Sequence, residues 1–231
     1  MGETQTIRTP DGDFSAYVAR PAAAKAPAIV VIQEIFGVNA VMREITDGFA
    51  AEGFLAICPD LFWRIEPGVD ITDQSEAEWK KAFELYNAFD VDLGVKDIAA
   101  AIGYIRGDAG SAGKVGAVGF CLGGLLAFLT ATRTDIDASV GYYGVGIEKH
   151  LGEVDKLADP LLLHIAEADQ FVPKEAQALI VSALRNHPQV QIFTYPGRDH
   201  AFARRGGEHY DAADAALANS RTLALFKKAL A

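Results

Sequence analysis

The chain has 231 residues, of which 50% are hydrophobic and 23% are charged, and its net charge is −10 at pH 7. This length supports one substantial hydrophobic core or two small domains, and the negative charge disfavours binding to nucleic acid or to an anionic membrane surface. No apolar run reaches the ~20 residues that span a bilayer, and the start Met-Gly-Glu-Thr-Gln-Thr has no signal-peptide core, so we expect a cytoplasmic protein.

Strand-like apolar runs alternate along the chain with longer segments of helical pattern. The predicted strands are 14–19, 28–33, 54–59, 114–119, 138–143, 161–166 and 191–195, and the predicted helices are 40–52, 76–88, 94–106, 122–132, 174–186 and 211–229. Continuous apolar runs such as 28–32 are typical of strands buried on both faces. The alternation predicts an α/β fold, with a mostly parallel central sheet and helices on both faces. We interpret residues 1–231 as a single domain.

The segment Gly119-Phe120-Cys121-Leu122-Gly123 carries the most informative motif of the chain. It has the form G-x-C-x-G, follows a predicted strand and opens a predicted helix. This context is typical of the nucleophile elbow of α/β-hydrolases, a sharp turn that lifts the nucleophile off the sheet. Small flanking residues let the strand and the helix approach each other. We therefore predict that Cys121 is a nucleophile, although a free cysteine also serves commonly as a small buried hydrophobe.

A cysteine nucleophile reacts as the thiolate and needs a nearby base. In sheets of this kind, ligands bind beyond the carboxyl ends of the strands. His200 follows the last predicted strand and is therefore the predicted base, with His209 in the same region as the alternative. His164 lies inside an apolar strand and fits a hydrogen-bonded core histidine better.

The imidazole of the base needs a carboxylate to orient it. Asp169 lies just past the strand 161–166, and Glu167 and Asp199 are the nearest alternatives. The chain order Cys121, Asp169, His200 is the nucleophile, acid and base order of α/β-hydrolases. Asp169 is therefore the predicted orienting acid.

The loop 33–39 follows the apolar strand run 28–32. In this fold, the corresponding loop and the residue after the nucleophile each supply one backbone N–H to the oxyanion hole, which assigns these donors to Ile35 and Leu122. A carboxylate directly after a buried strand is costly unless it has a partner. Glu34 is therefore either a structural ion-pair residue or a charge near the thiol, where it would raise the pKa of the thiol.

The chain contains two cysteines, Cys58 and Cys121. Disulfides are rare in reducing compartments, so we expect both thiols to be free, with Cys58 filling space at a strand end. No C-x-x-C motif or Cys/His spacing indicates zinc. We predict neither a metal nor another cofactor.

Five segments together resemble the dienelactone hydrolase family of α/β-hydrolases; they are 33–39, 58–61, 119–124, 140–146 and 200–204. The resemblance implies a triad of Cys121, His200 and Asp169, with Glu34 as an acid that contacts the thiol. It also implies that the substrate displaces Glu34, which then takes the thiol proton. The thiolate would thus form only when substrate is present.

The resemblance implies hydrolysis of a small anionic lactone, a dienelactone (carboxymethylenebutenolide), to maleylacetate in aromatic catabolism. Arg204 matches a family arginine that binds the substrate carboxylate, a contact that suits a guanidinium group. Phe36, Trp79 and Phe83 are further predicted substrate-binding residues. Trp79 and Phe83 stand where the family has an arginine and a tyrosine, which changes the expected pocket more than the expected reaction.

Three other functions stay open on the sequence. They are a carboxylesterase or lactonase of different specificity, a lactone-binding protein without activity, and a redox-sensing cysteine. We expect a monomer whose partner is the small-molecule substrate, with neither nucleic acid nor membrane as a partner.

Overall fold

The computed structural model describes residues 2–231. Its strands are β1 Glu3–Thr9, β2 Gly12–Ala19, β3 Ala26–Ile32, β4 Leu55–Pro59, β5 Ser111–Phe120, β6 Ala138–Tyr142, β7 Leu161–Ala166 and β8 Val190–Tyr195. Its α-helices are α1 Ala40–Ala51, α2 Glu76–Ala88, α3 Val91–Arg106, α4 Leu122–Arg133, α5 Lys174–Leu184 and α6 Ala212–Ala229. A 3-10 helix covers Ile147–Lys156.

The strands form one eight-stranded sheet in the order β1-β2-β4-β3-β5-β6-β7-β8. Strand β3 pairs in parallel with β4, and β7 pairs in parallel with both β6 and β8. The pairs β1–β2 and β2–β4 are antiparallel. The predicted α/β fold with a mostly parallel sheet is confirmed.

The prediction from the sequence missed two elements, β1 and the 3-10 helix. Strand β1 has the sequence ETQTIRT, in which Ile7 is the one fully buried residue. Such a polar edge strand lacks the apolar run that marks a strand buried on both faces. The 3-10 helix has three residues per turn, so its polar sequence IEKHLGEVDK fits neither the α-helical nor the strand period.

The chain forms two compact units, Met1–Gly116 and Ala117–Ala231. In the first unit, α1 packs on β2, β3 and β4, and α3 packs on β1, β3 and β4. The buried side chains of α1 are Met42, Thr46 and Phe49, which share one helix face. The side chain of Asn39 caps this helix by accepting from the N–H of Met42 at 3.1 Å.

In the second unit, α4 packs on β6, and α6 packs on β6 and β7. Every residue of α4 from Leu122 to Thr132 is buried. A helix that is apolar on all sides is typical of a position inside a core rather than on a surface. The interpretation of residues 1–231 as one domain stays a prediction. Among residues 2–231, no helix is both long enough and apolar enough to cross a bilayer.

Candidate active site

Cys121 lies at the turn between β5 and α4, with backbone angles φ 55° and ψ −117°. A positive φ is rare for a residue with a side chain, and such strain persists where the surroundings enforce it. The N–H of Cys121 donates to the carbonyl of Tyr142 at 3.1 Å, and the N–H of Gly124 donates to the Cys121 carbonyl at 2.9 Å. These bonds hold the sulfur-bearing residue at the strained turn.

Close backbone approach explains the glycines around Cys121. A Cβ atom on Gly119 would lie 1.8 Å from the carbonyl oxygen of Gly123, and a Cβ on Gly124 would lie 2.5 Å from the carbonyl oxygen of Tyr142. Neither space accepts a methyl group. The glycines are therefore required by the contact of β5 and β6 with α4.

His200 and Asp169 form a buried pair, each with 5% of its surface exposed. Nδ1 of His200 lies 2.8 Å from Oδ2 of Asp169. Because a carboxylate only accepts hydrogen bonds, Nδ1 is the donor, and this leaves Nε2 for a second partner. The other Asp169 oxygen accepts from the N–H of Phe171 at 2.8 Å, which fixes the orientation of the carboxylate.

The second partner of His200 is Cys121. Burial by itself would lower the pKa of His200, but the Cys121 sulfur and the Asp169 carboxylate, both hydrogen-bonded to the ring, outweigh it and raise the pKa to about 10. His200 is then protonated at neutral pH. The formation of thiolate only on substrate binding stays a prediction.

Two aromatic rings that the sequence reading missed enclose the His200 imidazole. The ring centroid of Tyr143 lies 5.1 Å from that of His200, and the centroid of Phe171 lies 4.9 Å from it, both in edge-to-face orientation. Tyr143 directly follows β6 and has φ 38°. Its position at the carboxyl end of a strand is the same signal that pointed to the other site residues.

The alternatives to His200 and Asp169 have other partners. Nε2 of His209 lies 3.7 Å from Oδ2 of Asp199, and Oδ1 of Asp199 accepts from the N–H of His200 at 2.6 Å. His164 is bonded through Nδ1 to the hydroxyl of Tyr195 at 2.8 Å. Burial lowers the pKa of His164 to about 3. His164 is thus a neutral core histidine.

Arg204 lies in the loop that carries His200, and it is 9% exposed. Its N–H donates to the carbonyl of Ala201 at 2.9 Å, and Ala201 has φ 61°. The side chain packs beside Gly207, where a Cβ would lie 2.9 Å from the Arg204 Nε. The structure therefore places the predicted carboxylate ligand Arg204 on the same loop as the predicted base His200.

Leu122, a predicted oxyanion-hole donor, is the first residue of α4 and lies in the second unit. The remaining predicted site residues lie in the first unit. The loop after β3 buries three of them almost completely, namely Glu34, Ile35 and Phe36. The next residue, Gly37, has φ +76°, and a Cβ there would lie 1.9 Å from the carbonyl oxygen of Val69. The loop conformation thus depends on glycine at position 37.

Phe36, Trp79 and Phe83 form an aromatic row within the first unit. The Phe36 and Trp79 centroids are 5.2 Å apart in edge-to-face orientation, and the Trp79 and Phe83 rings stack at 5.6 Å. The indole N–H of Trp79 donates to the Asp73 carbonyl at 3.0 Å. Phe83 is 40% exposed. Trp79 and Phe83 are neighbours on α2, and the structure brings the sequence-distant Phe36 against Trp79.

Both cysteines are free and buried, as expected. Burial, with a smaller contribution from the nearby Asp60 carboxylate, raises the pKa of Cys58 to about 12, which makes it an inert thiol at neutral pH. Within residues 2–231, no cluster of histidine, cysteine, aspartate or glutamate side chains has the arrangement of a metal site.

The sheet order and the strained turn between β5 and α4 define an α/β-hydrolase. The profile of the dienelactone hydrolase family matches residues 14–230. The chain belongs to this family, and it is a hydrolase of lactone or ester bonds.

Relatives of similar length match along nearly the whole chain. The carboxymethylenebutenolidase of Pseudomonas putida is 46% identical over 224 residues, which cover 96% of this chain and 95% of that protein. A protein of Azospirillum brasilense, provisionally named a carboxymethylenebutenolidase, is 52% identical over 222 residues and 95% of each chain. The crystal structure of a Klebsiella pneumoniae protein, provisionally named a dienelactone hydrolase, superposes on this chain with a TM-score of 0.86 at 26% identity. The match covers 99% of this chain and 98% of that one.

Proposed function

We propose that this enzyme opens the lactone ring of dienelactone-like substrates, with Cys121 as the nucleophile, His200 as the general base and acid, and Asp169 as the orienting carboxylate. The observation that carries the proposal is a chain of contacts: Cys121, at a strained strand-to-helix turn, is hydrogen-bonded to His200, and His200 is hydrogen-bonded to Asp169. The names of the relatives at 46% to 52% identity support the same substrate class.

The first half of the proposed reaction makes a thioester. The Cys121 sulfur attacks the lactone carbonyl and forms a C–S bond, while the carbonyl electrons move onto oxygen. Collapse of this intermediate breaks the ring C–O bond. The ring oxygen leaves with its electron pair as an enolate and takes the proton from Nε2 of His200. A stabilised enolate is a good leaving group, so unsaturated lactones should react faster than plain saturated esters.

The second half releases the product. His200, now neutral, takes a proton from water, and the water oxygen forms a bond to the thioester carbon. The C–S bond breaks, so Cys121 returns to the thiolate and His200 to the imidazolium. Asp169 keeps the ring in the required tautomer through both halves. Water is the only co-reactant, and no cofactor is needed.

Two backbone N–H groups are proposed to stabilise the oxyanion, those of Leu122 and Ile35. Leu122 is the first residue of α4, so its N–H has no acceptor within the helix and lies at the positive end of the helix dipole. Loss of one such donor costs roughly 10²–10³ in kcat in a well-studied hydrolase. Glu34 is proposed to take the proton of the Cys121 thiol when substrate binds and to return it after the product leaves. Arg204 is proposed to bind the substrate carboxylate.

The test is hydrolysis of cis- and trans-dienelactone by the wild-type protein and by the variants Cys121→Ala and Cys121→Ser, followed by product identification as maleylacetate. We expect no activity in Cys121→Ala. The matched control is Cys58→Ala, which removes the other buried thiol and should stay active. Full activity of Cys121→Ala would overturn the assignment. A wild-type protein that binds both lactones without turnover would indicate a binding protein instead.

The aromatic row favours a second candidate, an esterase or lactonase for apolar substrates. Trp79 and Phe83 offer flat apolar surface and no charge to a substrate. This candidate predicts that wild-type kcat/KM is higher for a phenyl or alkyl ester than for either dienelactone. It also predicts that Trp79→Arg, which restores the charge of the family pattern, reverses that preference.

A further inference from the structure

Asp199 lies beside the proposed base, and the proposed reaction does not use it. Its Oδ1 atom accepts two backbone N–H groups, from His200 at 2.6 Å and from Gln170 at 3.2 Å. Gln170 directly follows the proposed acid Asp169. A single carboxylate oxygen thus joins the loop after β7, which carries the acid, to the loop after β8, which carries the base.

A second link joins the same two loops on the other side of the acid. The N–H of Ala168 donates to the carbonyl of Arg198 at 2.7 Å. The Arg198 guanidinium in turn forms ion pairs with Asp211 at 2.6 Å and with Asp214 at 2.5 Å, at the start of α6. The 2.8 Å bond between His200 and Asp169 is therefore flanked by two links, one through Arg198 and one through Asp199.

The contacts of Asp199 indicate that it acts through geometry rather than through charge. Its other oxygen lies 3.7 Å from Nε2 of His209, and the two side chains are 29% and 33% exposed. An ion pair at such an exposed position contributes little energy. Burial lowers the pKa of His200, and its two hydrogen-bond partners, Cys121 and Asp169, outweigh burial and raise it.

We propose that Asp199 is a positioning residue, which holds the acid loop and the base loop in the register that the hydrogen bond between Asp169 and His200 requires. This inference rests on the proposed function. A displacement of about 1 Å at a catalytic group can cost about 10² in rate. Loss of the Asp199 link should therefore reduce kcat and leave KM nearly unchanged, because Asp199 is not proposed to touch the substrate.

The test compares three substitutions of Asp199 in the full chain. Asp199→Asn keeps a carbonyl oxygen that can accept both N–H groups and removes the charge. Asp199→Glu keeps the charge and moves the acceptor by one methylene group. Asp199→Ala removes both. We expect kcat within about threefold of wild type for Asn, and kcat reduced about 10- to 100-fold for Glu and Ala.

Two further measurements complete the test. His209→Gln removes the imidazole that lies 3.7 Å from the Asp199 carboxylate and should leave kcat unchanged. Thermal unfolding of each variant identifies any variant that is not folded at the assay temperature. If Asp199→Ala is not folded, the kcat of Asp199→Glu is compared with that of wild type instead. A kcat near the wild-type value in Asp199→Asn, together with a reduced kcat in Asp199→Glu, supports a positioning role for Asp199.

Two results would overturn the inference. One is wild-type kcat in Asp199→Ala or Asp199→Glu, and the other is an equal loss in Asn and Ala, which would assign the effect to charge. Failure of this inference is distinguishable from failure of the proposed function: an active Asp199→Ala beside an inactive Cys121→Ala refutes only the role of Asp199.

Discussion

The buried histidine His164 makes the stability of this protein depend on pH. It is 1% exposed, and its ring nitrogens are bonded to the hydroxyl groups of Tyr195 at 2.8 Å and Thr222 at 3.0 Å. Burial, assisted by the nearby Arg221 charge, lowers its pKa from 6.5 to about 3. Between these two pH values the unfolded chain binds a proton at His164 and the folded protein does not.

The sign and the size of the effect follow from this difference. Stability falls as the pH falls below the pKa of the unfolded state, because protonation then favours the unfolded chain. The slope for one group is about 1.4 kcal/mol per pH unit. Between pH 6.5 and pH 5 the loss is therefore about 2 kcal/mol, a substantial part of the 5–15 kcal/mol typical of a folded protein.

Urea unfolding at pH 7, 6 and 5 measures this loss. We expect His164→Gln to lack the pH-dependent loss of about 2 kcal/mol that His164 causes. The variant should therefore lose less stability than wild type on acidification. Tyr195→Phe is the matched control, since it removes one hydrogen bond of the same ring and keeps the imidazole. It should be less stable at every pH but keep the wild-type slope. Equal slopes for wild type and His164→Gln would refute the argument.

Three further predictions concern the proposed site. Gly119→Ala should reduce the free energy of unfolding by about 3 kcal/mol or more and abolish activity, because its Cβ would lie 1.8 Å from a backbone oxygen. The control is Gly103→Ala, whose Cβ would have nothing within 4 Å, and it should be neutral or stabilising. Similar unfolding curves for the two variants would contradict this prediction. Asp169→Asn should reduce kcat by about 10³–10⁴ with little change in unfolding. Both Asp169 oxygens accept hydrogen bonds, from His200 and from the N–H of Phe171, and an amide that keeps the second bond presents its NH2 group to Nδ1 of His200, which favours the wrong tautomer. A loss below tenfold in steady-state assays would argue against Asp169 as the acid. Cys121→Ala should lower the pKa of His200 from about 10, which ¹⁵N NMR titration of the imidazole measures, and an unchanged pKa would rule out the sulfur as a cause of the shift.

Local signals in the chain were sufficient for several elements. The bounds of α2 and β7 agree with the sequence prediction, and α2 begins after Ser75, whose side chain accepts from the N–H of Glu78 at 3.3 Å. A serine followed three residues later by glutamate is a capping box, a signal within one turn of chain. The glycines at 119 and 123 likewise predicted the turn around Cys121, since a sharp strand-to-helix turn needs small residues beside it.

The choice among carboxylates needed the tertiary structure. Glu167, Asp169 and Asp199 all lie just beyond strands and are equivalent as sequence signals. The parallel pairing of β7 with β8 places Ala166 opposite Tyr195, so the loops that follow these residues start at the same edge of the sheet. Only this register puts the Asp169 carboxylate on the His200 ring and Asp199 on backbone N–H groups of both loops.

The same division applies to the nucleophile. From its neighbours in the chain, Cys121 was already a candidate, because glycine spacing and the change from strand to helix are local properties. The groups around it come from distant segments. The imidazole beside its sulfur and the rings of Tyr143 and Phe171 around that imidazole lie 22 to 79 residues further along the chain. Such contacts depend on strand register and packing, which residue pattern and spacing do not encode.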